Sequence, residues 1–324
     1  MPPSRPLSSS MSRSPTHAVV TPAHNEAGYL HGPVVDVVVV SYMSREFLRS
    51  CVGPLAADPG IQVVVVDNAS PDRSLEAVEG LDVLKIARDQ NGGFARACNE
   101  GWRLTSAPYV LFLNPDARIA PEDVRRLVAA VERDETVAIV GPRIVDFDGT
   151  LVHSQRRFLT VRSIWAQGLF LHHLFPRAVW TDGVVRNDEL YATPGSPDWV
   201  SGACLLVRRR ILEQLDGFDE RFFMYCEDED LCRRAKALGF DIRFEPSVVA
   251  AHAGGASAPR AASFPVLVQS RRRYLAKHHG AVARVVGRVG MTMGESIRLL
   301  VTRGGFRDRA GHLYGLLASL GRVD

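Results

Sequence analysis

The chain has 324 residues, 46% of them hydrophobic and 23% charged, and a formal net charge of +3. This composition supports a sizeable folded core and excludes disordered, collagen-like and disulfide-dense classes, and so small a net charge gives no footing for a nucleic-acid partner. Five cysteines, with no Cys-x-x-Cys pair and one left over, point to a reduced, intracellular compartment and away from a zinc site. No run of about 18 uncharged apolar residues occurs; the longest candidate, 163–176, is short and contains His172 and His173.

The first 17 residues are rich in Ser and Pro and read as a disordered leader without the apolar stretch of a secretory signal. The stretch from Ala18 to Glu26 resembles a short strand ending in a loop, and so does 34–44. Only one of them can be the first central strand, and the second has a helix and a further strand at normal spacing after it. Residues 18–33 are therefore an extension, either an edge strand or the remnant of a duplicated start.

From residue 34 the pattern alternates. Apolar, β-branched runs at 34–40, 61–66, 83–86 and 109–113 predict strands, and 45–55, 74–79, 94–104 and 121–134 predict helices. Continuous apolar strands alternating with helices imply an α/β fold with a mostly parallel sheet covered on both faces. Ligands of such sheets bind at the carboxyl ends of the strands.

Those ends carry polar residues. The second run ends in Asp67-Asn68-Ala69-Ser70, where a carboxylate can accept from a nucleobase or ribose, or can simply cap a turn. The third leads through Arg88 to Asn91-Gly92-Gly93-Phe94, two glycines before a helix. That suits a phosphate, but the sequence is neither a Walker loop nor a dinucleotide fingerprint. The fourth ends in Asn114-Pro115-Asp116, a turn whose oxygens suit a hard divalent cation. Farther on, four acids run from Glu227 to Asp230. Crowding beside a cleft raises one of them toward general-base duty, whereas an exposed first helical turn would need no such role. Asp230 and Arg234 form an i,i+4 pair. His252 follows an apolar run, where a lone histidine is ordinarily structural.

Taken in order, Asp67-Asn68-Ala69-Ser70, Asn91-Gly92-Gly93-Phe94, Asn114-Pro115-Asp116, Trp199-Val200-Ser201-Gly202-Ala203 and the run from Glu227 to Arg234 resemble family 2 glycosyltransferases, most of all the rhamnosyltransferase branch. The resemblance spans about Val34 to His279. It implies a GT-A nucleotide-diphospho-sugar transferase fold, with a mixed, mostly parallel central sheet flanked by helices. The expected layout is a leader and extension over 1–33, a GT-A domain over 34–260 and a basic helical region over 261–324. By similarity, Ser41 and Tyr42 lie near the nucleotide, Asp67 contacts the base, and Arg88, Asn91 and Asn114 line the donor site. Asp116 and His252 bind a divalent metal, Mg²⁺ or Mn²⁺. Trp199, Gly202 and Glu227 shape the sugar and acceptor pocket, and Asp228 is the catalytic base. Asn114 stands where the family's metal motif has its first acid, which removes one charge from the site.

The activity implied is inverting transfer of a sugar, L-rhamnose from dTDP-rhamnose, to a polyprenyl-linked or polysaccharide acceptor in cell-wall or surface-polysaccharide synthesis. Another donor (galactofuranose, glucose, N-acetylglucosamine) and a catalytically weak scaffold subunit are the alternatives. From Ser270 onward, eleven Lys and Arg stand against three acids. This basic tail suggests a cytoplasmic protein in peripheral contact with the anionic inner leaflet; a tail packed on its own domain is the bland alternative.

Overall fold

A run such as Val37-Val38-Val39-Val40 has no polar face, so its strand must be covered on both sides. The computed structural model describes residues 19–20, 33–254, 260–301 and 306–321; the predicted leader lies outside them. Strand β1 (Val19–Val20) pairs antiparallel with β4 at the sheet edge, with Val19 opposite Ile86. The edge-strand reading of the extension thus holds for these two residues. Next come β2 (Val35–Ser41), β3 (Ile61–Asp67), β4 (Val83–Ala87) and β5 (Tyr109–Leu113), all mutually parallel in the order β4-β3-β2-β5. Their register sets Ser41 opposite Asp67, and Asp67 opposite Ala87. Three carboxyl ends are therefore level along one rim.

The other half of the sheet makes it mixed. Short β6 (Ala117–Arg118), long β7 (Val137–Val145) and its partner β8 (Leu151–Val152) come first, followed by the separate pair β9 (Gln155–Arg156) and β10 (Trp199–Val200). Strand β11 (Cys204–Arg208) runs antiparallel between β5 and β7, and β12 (Asp241–His252) lies parallel to β7. Strand β6 closes antiparallel on β12, so Ala117 faces His252.

Alternate valines serve two layers, as the period of two demands. Val37, Val39, Val63 and Val65 pack under α1 (Arg45–Ala56) and α3 (Pro121–Glu132). Val38, Val40, Val64 and Val66 pack under α2 (Phe94–Arg103), with residues of later helices completing that layer. The predicted helix at 74–79 is a single 3₁₀ stretch, Ser74–Val78, too short for α-helical bonds to accumulate.

Helices α4 (Val161–Gly168) and α5 (Leu171–Leu174) follow, then α6 (Arg209–Leu215) and α7 (Glu227–Ala237). The basic region is helical: α8 (Arg260–His278), α9 (Ala281–Val301) and α10 (Phe306–Leu320). It shares a small core with α4 and the approach to α7, built on Leu159, Ile164, Cys226, Tyr274 and Met291.

Candidate active site

At the carboxyl end of β3, Asp67 is nearly buried, and its Oδ2 accepts from the Ser70 N–H at 2.9 Å. Its Oδ1 is buried with no partner. Leaving a carboxylate oxygen so is costly, and a ligand N–H or O–H would relieve it. Beside it, Asn68 accepts from Arg88 Nη1 at 2.7 Å and donates to the Gly93 carbonyl at 3.0 Å. Arg88 also pairs with Glu100 at 3.1 Å. Asn91 Oδ1 accepts from the Gly93 N–H at 3.0 Å. Gly93 has φ +89°, and a Cβ there would sit 2.3 Å from the Phe223 carbonyl oxygen, so this loop tolerates only glycine. Ser41 is buried with its Oγ 3.0 Å from Ser44 Oγ, whereas Tyr42 is exposed at the same end of the sheet. Ser41, Asp67, Arg88 and Asn91 thus share one rim.

The next strand end gathers Asn114, Asp116 and His252. His252 Nε2 lies 3.2 Å from Asp116 Oδ1 and 3.2 Å from Asn114 Nδ2. The pairing of β6 with β12 brings together residues 136 positions apart. One imidazole nitrogen carries either a hydrogen or a lone pair and cannot satisfy both a carboxylate and a donating amide. With the amide turned, three lone-pair atoms converge, which is the donor chemistry of a divalent cation. Among the described residues no group of three or more His, Cys, Asp and Glu could hold a metal. Protein atoms alone would thus fill only part of a cation's ligand shell here, and Mg²⁺ ordinarily keeps waters and other oxygen ligands of its own. The residues fit such an ion.

The four acids do open a helix, α7, but not an exposed one. Glu227, Glu229 and Asp230 are buried, and Asp228 alone keeps partial exposure. Two left-handed non-glycine residues, Tyr225 (φ 70°) and Cys226 (φ 66°), precede the helix. Such strain is costly and collects at functional sites. Asp228 Oδ2 accepts from the Gly202 N–H at 2.9 Å and Oδ1 from the Glu229 N–H at 2.8 Å. A Cβ on residue 202 would stand 3.1 Å from Asp228 Oδ2, so glycine allows this approach. Burial raises the Asp228 carboxyl above the usual range, against the two N–H bonds and the field of Arg156. Burial and the Asp228 charge push Glu227 well above its usual value, and its Oε2 has no partner. Glu229, raised to about 7 by burial, accepts from the Leu159 N–H at 2.5 Å. Trp199 lies on β10 with its Nε1–H donating to the Arg157 carbonyl at 3.1 Å.

Asp228, Gly202 and Glu227 are therefore in direct or adjacent contact, and the Ala203 carbonyl accepts from the Asn114 N–H at 3.0 Å, tying this group to the metal-type trio. Arg156, whose charge acts on Asp228, went unremarked in the sequence because it lies in a stretch without clear periodicity.

Comparison with known proteins identifies the family and the fold. Residues 36–215 match the model for Glycosyl transferase family 2. The chain is 30% identical over 239 residues to an N-acetylglucosaminyl-diphospho-decaprenol L-rhamnosyltransferase of Mycobacterium tuberculosis, covering 68% of this chain and 76% of that one. It is 25% identical over 232 residues to the rhamnosyltransferase WbbL of Escherichia coli, covering 68% and 83%. In fold it is similar to the Pyrobaculum calidifontis mannosyltransferase PcManGT in complex with GDP-Man and Mn²⁺ (TM-score 0.54, 16% identity, 91% of this chain and 88% of that one). It is also similar to Staphylococcus aureus TarS 1–349 in complex with UDP-GlcNAc (TM-score 0.51, 16% identity, 90% and 81%).

Proposed function

Since the chain belongs to glycosyltransferase family 2, we propose that it transfers L-rhamnose from dTDP-rhamnose, with inversion, to a polyprenyl-diphosphate-linked sugar that is a precursor of cell wall or surface polysaccharide. The observation that carries the mechanism is Asp228: the one partly exposed acid of its run, held by two backbone N–H groups. Rhamnose rests on the two rhamnosyltransferase relatives, and the lipid diphosphate on the Mycobacterium tuberculosis one alone.

Asp228 takes the proton of an acceptor hydroxyl, and that oxygen forms a bond to the anomeric carbon from the face opposite the leaving group. The bond from that carbon to the diphosphate oxygen breaks, and the nucleoside diphosphate leaves with the electron pair. Asp67 holds the base or ribose through its free Oδ1, and the Gly92-Gly93 loop lets the donor approach the backbone. Asp116, His252 and Asn114 would hold a Mg²⁺ or Mn²⁺ ion, which supplies positive charge to the diphosphate when bound.

The direct test is transfer from a panel of nucleotide-sugars to a prenyl-diphospho-N-acetylglucosamine acceptor, with metal and with chelator. Turnover with dTDP-rhamnose alone is expected. Selective turnover with another donor would discard rhamnose, and none with any donor would favour a scaffold role. Asp116→Ala should weaken metal binding by more than the roughly 10–100-fold that losing a supporting shell costs, and weaken donor binding in metal with it. Unchanged donor affinity would remove Asp116 from the site.

A lipid-linked acceptor also calls for contact with the anionic inner leaflet from the cytoplasmic side. No described helix is long and apolar enough to cross a membrane. Much of the basic tail is spent internally: Arg271 bonds Gln167, Arg272 the Ala318 carbonyl, Lys277 Asp219 and Asp230, and Arg298 Glu295. Among the described residues, the tail-wide membrane face expected from the sequence therefore contracts to the first half of α9. There Val282, Val285 and Val289 are 79%, 63% and 52% exposed, beside exposed Arg284 and Arg288. Two cations near an anionic surface add about 1 kcal/mol each. Sedimentation with phosphatidylglycerol vesicles at low salt, reversed at high salt, is the expected result. Protein left wholly in the supernatant would refute the contact.

A further inference from the structure

Arg156 is the least explained charge near the site. Its backbone is fixed on both sides, bridging Val184 on one and pairing with Trp199 on the other. Its guanidinium lies over the Trp199 ring, 5.9 Å from the centroid, and its Nη1 is buried with no partner. Two carboxylates act on it electrostatically, Asp228 and Asp182. Both are already committed. Asp228 gives one oxygen to the Gly202 N–H and the other to the Glu229 N–H. Asp182 is forked by Arg186 at 2.9 and 2.5 Å. The neighbouring Arg157 has its own carboxylate, Asp198, at 3.3 Å. Burial thus works against the Arg156 charge, which has no hydrogen-bonded counter-ion.

A guanidinium offers five N–H groups in a planar fork, a shape that matches the oxygens of a phosphate. A phosphate arriving beside the Asp228 carboxylate would be repelled, and a cation between the two removes that repulsion. We propose that Arg156 is a phosphate-binding residue of the acceptor site, engaging a phosphate oxygen of a lipid-diphosphate acceptor next to the base. The inference rests on the reading of the acceptor as a phosphate-bearing lipid. The same chemistry could come from the diphosphate of the donor, and the experiment separates the two carriers.

Binding rather than turnover is measured, by calorimetry on the full chain, for wild type, Arg156→Gln and Arg156→Lys. The acceptor probes are farnesyl-diphospho-N-acetylglucosamine and farnesyl N-acetylglucosaminide, which lacks the diphosphate. The donor probe is dTDP with Mg²⁺. Wild type is expected to favour the diphosphate probe by on the order of 30-fold or more, a typical scale for a charge pair shielded from water. Arg156→Gln should bind both acceptor probes alike, Arg156→Lys, which keeps the charge but not the fork, should keep only part of the preference, and dTDP affinity should be unchanged in all three. A wild type without preference, or a Gln variant that retains it, overturns the proposal. Loss of dTDP affinity with the acceptor preference intact overturns the acceptor assignment and moves the contact to the donor. Melting gives an independent reading. A confined charge without a partner costs stability, so Arg156→Gln should melt at the same temperature as wild type or higher. A clear drop would make the residue structural. Failure of the proposed activity would show separately, as absence of sugar transfer by a protein that still prefers the diphosphate probe.

Discussion

Asp228→Asn is expected to lower the rate of sugar transfer by about 10²–10⁴-fold, the usual contribution of a positioned general base, while donor affinity stays near wild type. The amide keeps the shape of the carboxylate and one acceptor oxygen. Its nitrogen must oppose either the Gly202 or the Glu229 N–H, both of which donate to Asp228 in the native protein. That clash is local, so retained dTDP affinity shows that the fold survives. The pH dependence follows from the same burial. The Asp228 carboxyl is raised above its ordinary range, and a base acts only when deprotonated. Transfer should therefore fall as the pH drops through that raised value, at a pH above that of an exposed aspartate. An Asn variant that keeps most of its turnover would move the base elsewhere. Glu227, with its unpartnered Oε2 one residue away, would be the next residue to test.

Asp230→Ala should have the largest effect on stability. Asp230 is fully buried, and three basic side chains converge on it: the Arg234 guanidinium (Nε at 2.7 Å), the Lys277 ammonium (Nζ at 2.7 Å) and the His278 imidazole (Nε2 at 2.6 Å). Two of them come from α8, so this carboxylate joins the basic region to α7. Removing one partner of a buried ion cluster strands the others, at a cost of about 3–5 kcal/mol. The loss should appear as a shift of the denaturant midpoint, with α8 released. The sign with pH can be worked out. Burial works against the charge, but the His278 hydrogen bond, Arg234 and Lys277 together hold the carboxyl below its usual value. A carboxyl depressed on folding contributes its full stabilisation above the unfolded value of about 4 and loses it as the pH falls through the folded one. The gap between wild type and variant should therefore narrow in acid. A loss under about 1 kcal/mol near neutral pH would mean that the cluster behaves as a solvated surface network.

Much of this was written locally. The valine runs and their spacing determine a parallel sheet with two covered faces, because strands that lack a polar side fold no other way, and the strand ends at Ser41, Asp67 and Leu113 lie within a residue or two of where the patterns stop. The order of polar loops on those strands, with the later 199–203 and 227–234 segments, was enough for the resemblance to glycosyltransferase family 2, to which the chain belongs. Tertiary structure decided what depends on long-range contact. It set His252 beside Asp116 through strands that meet only in the folded sheet. It buried three of four adjacent acids and left Asp228 in reach, which turns on two left-handed residues and the close approach of Gly202 rather than on any periodicity. It also turned much of the basic tail inward, where the charge count alone had suggested a membrane face, because long cationic side chains reach buried carboxylates and carbonyls that no linear pattern announces. Arg156 is the extreme case: its meaning lies entirely in neighbours supplied by other segments.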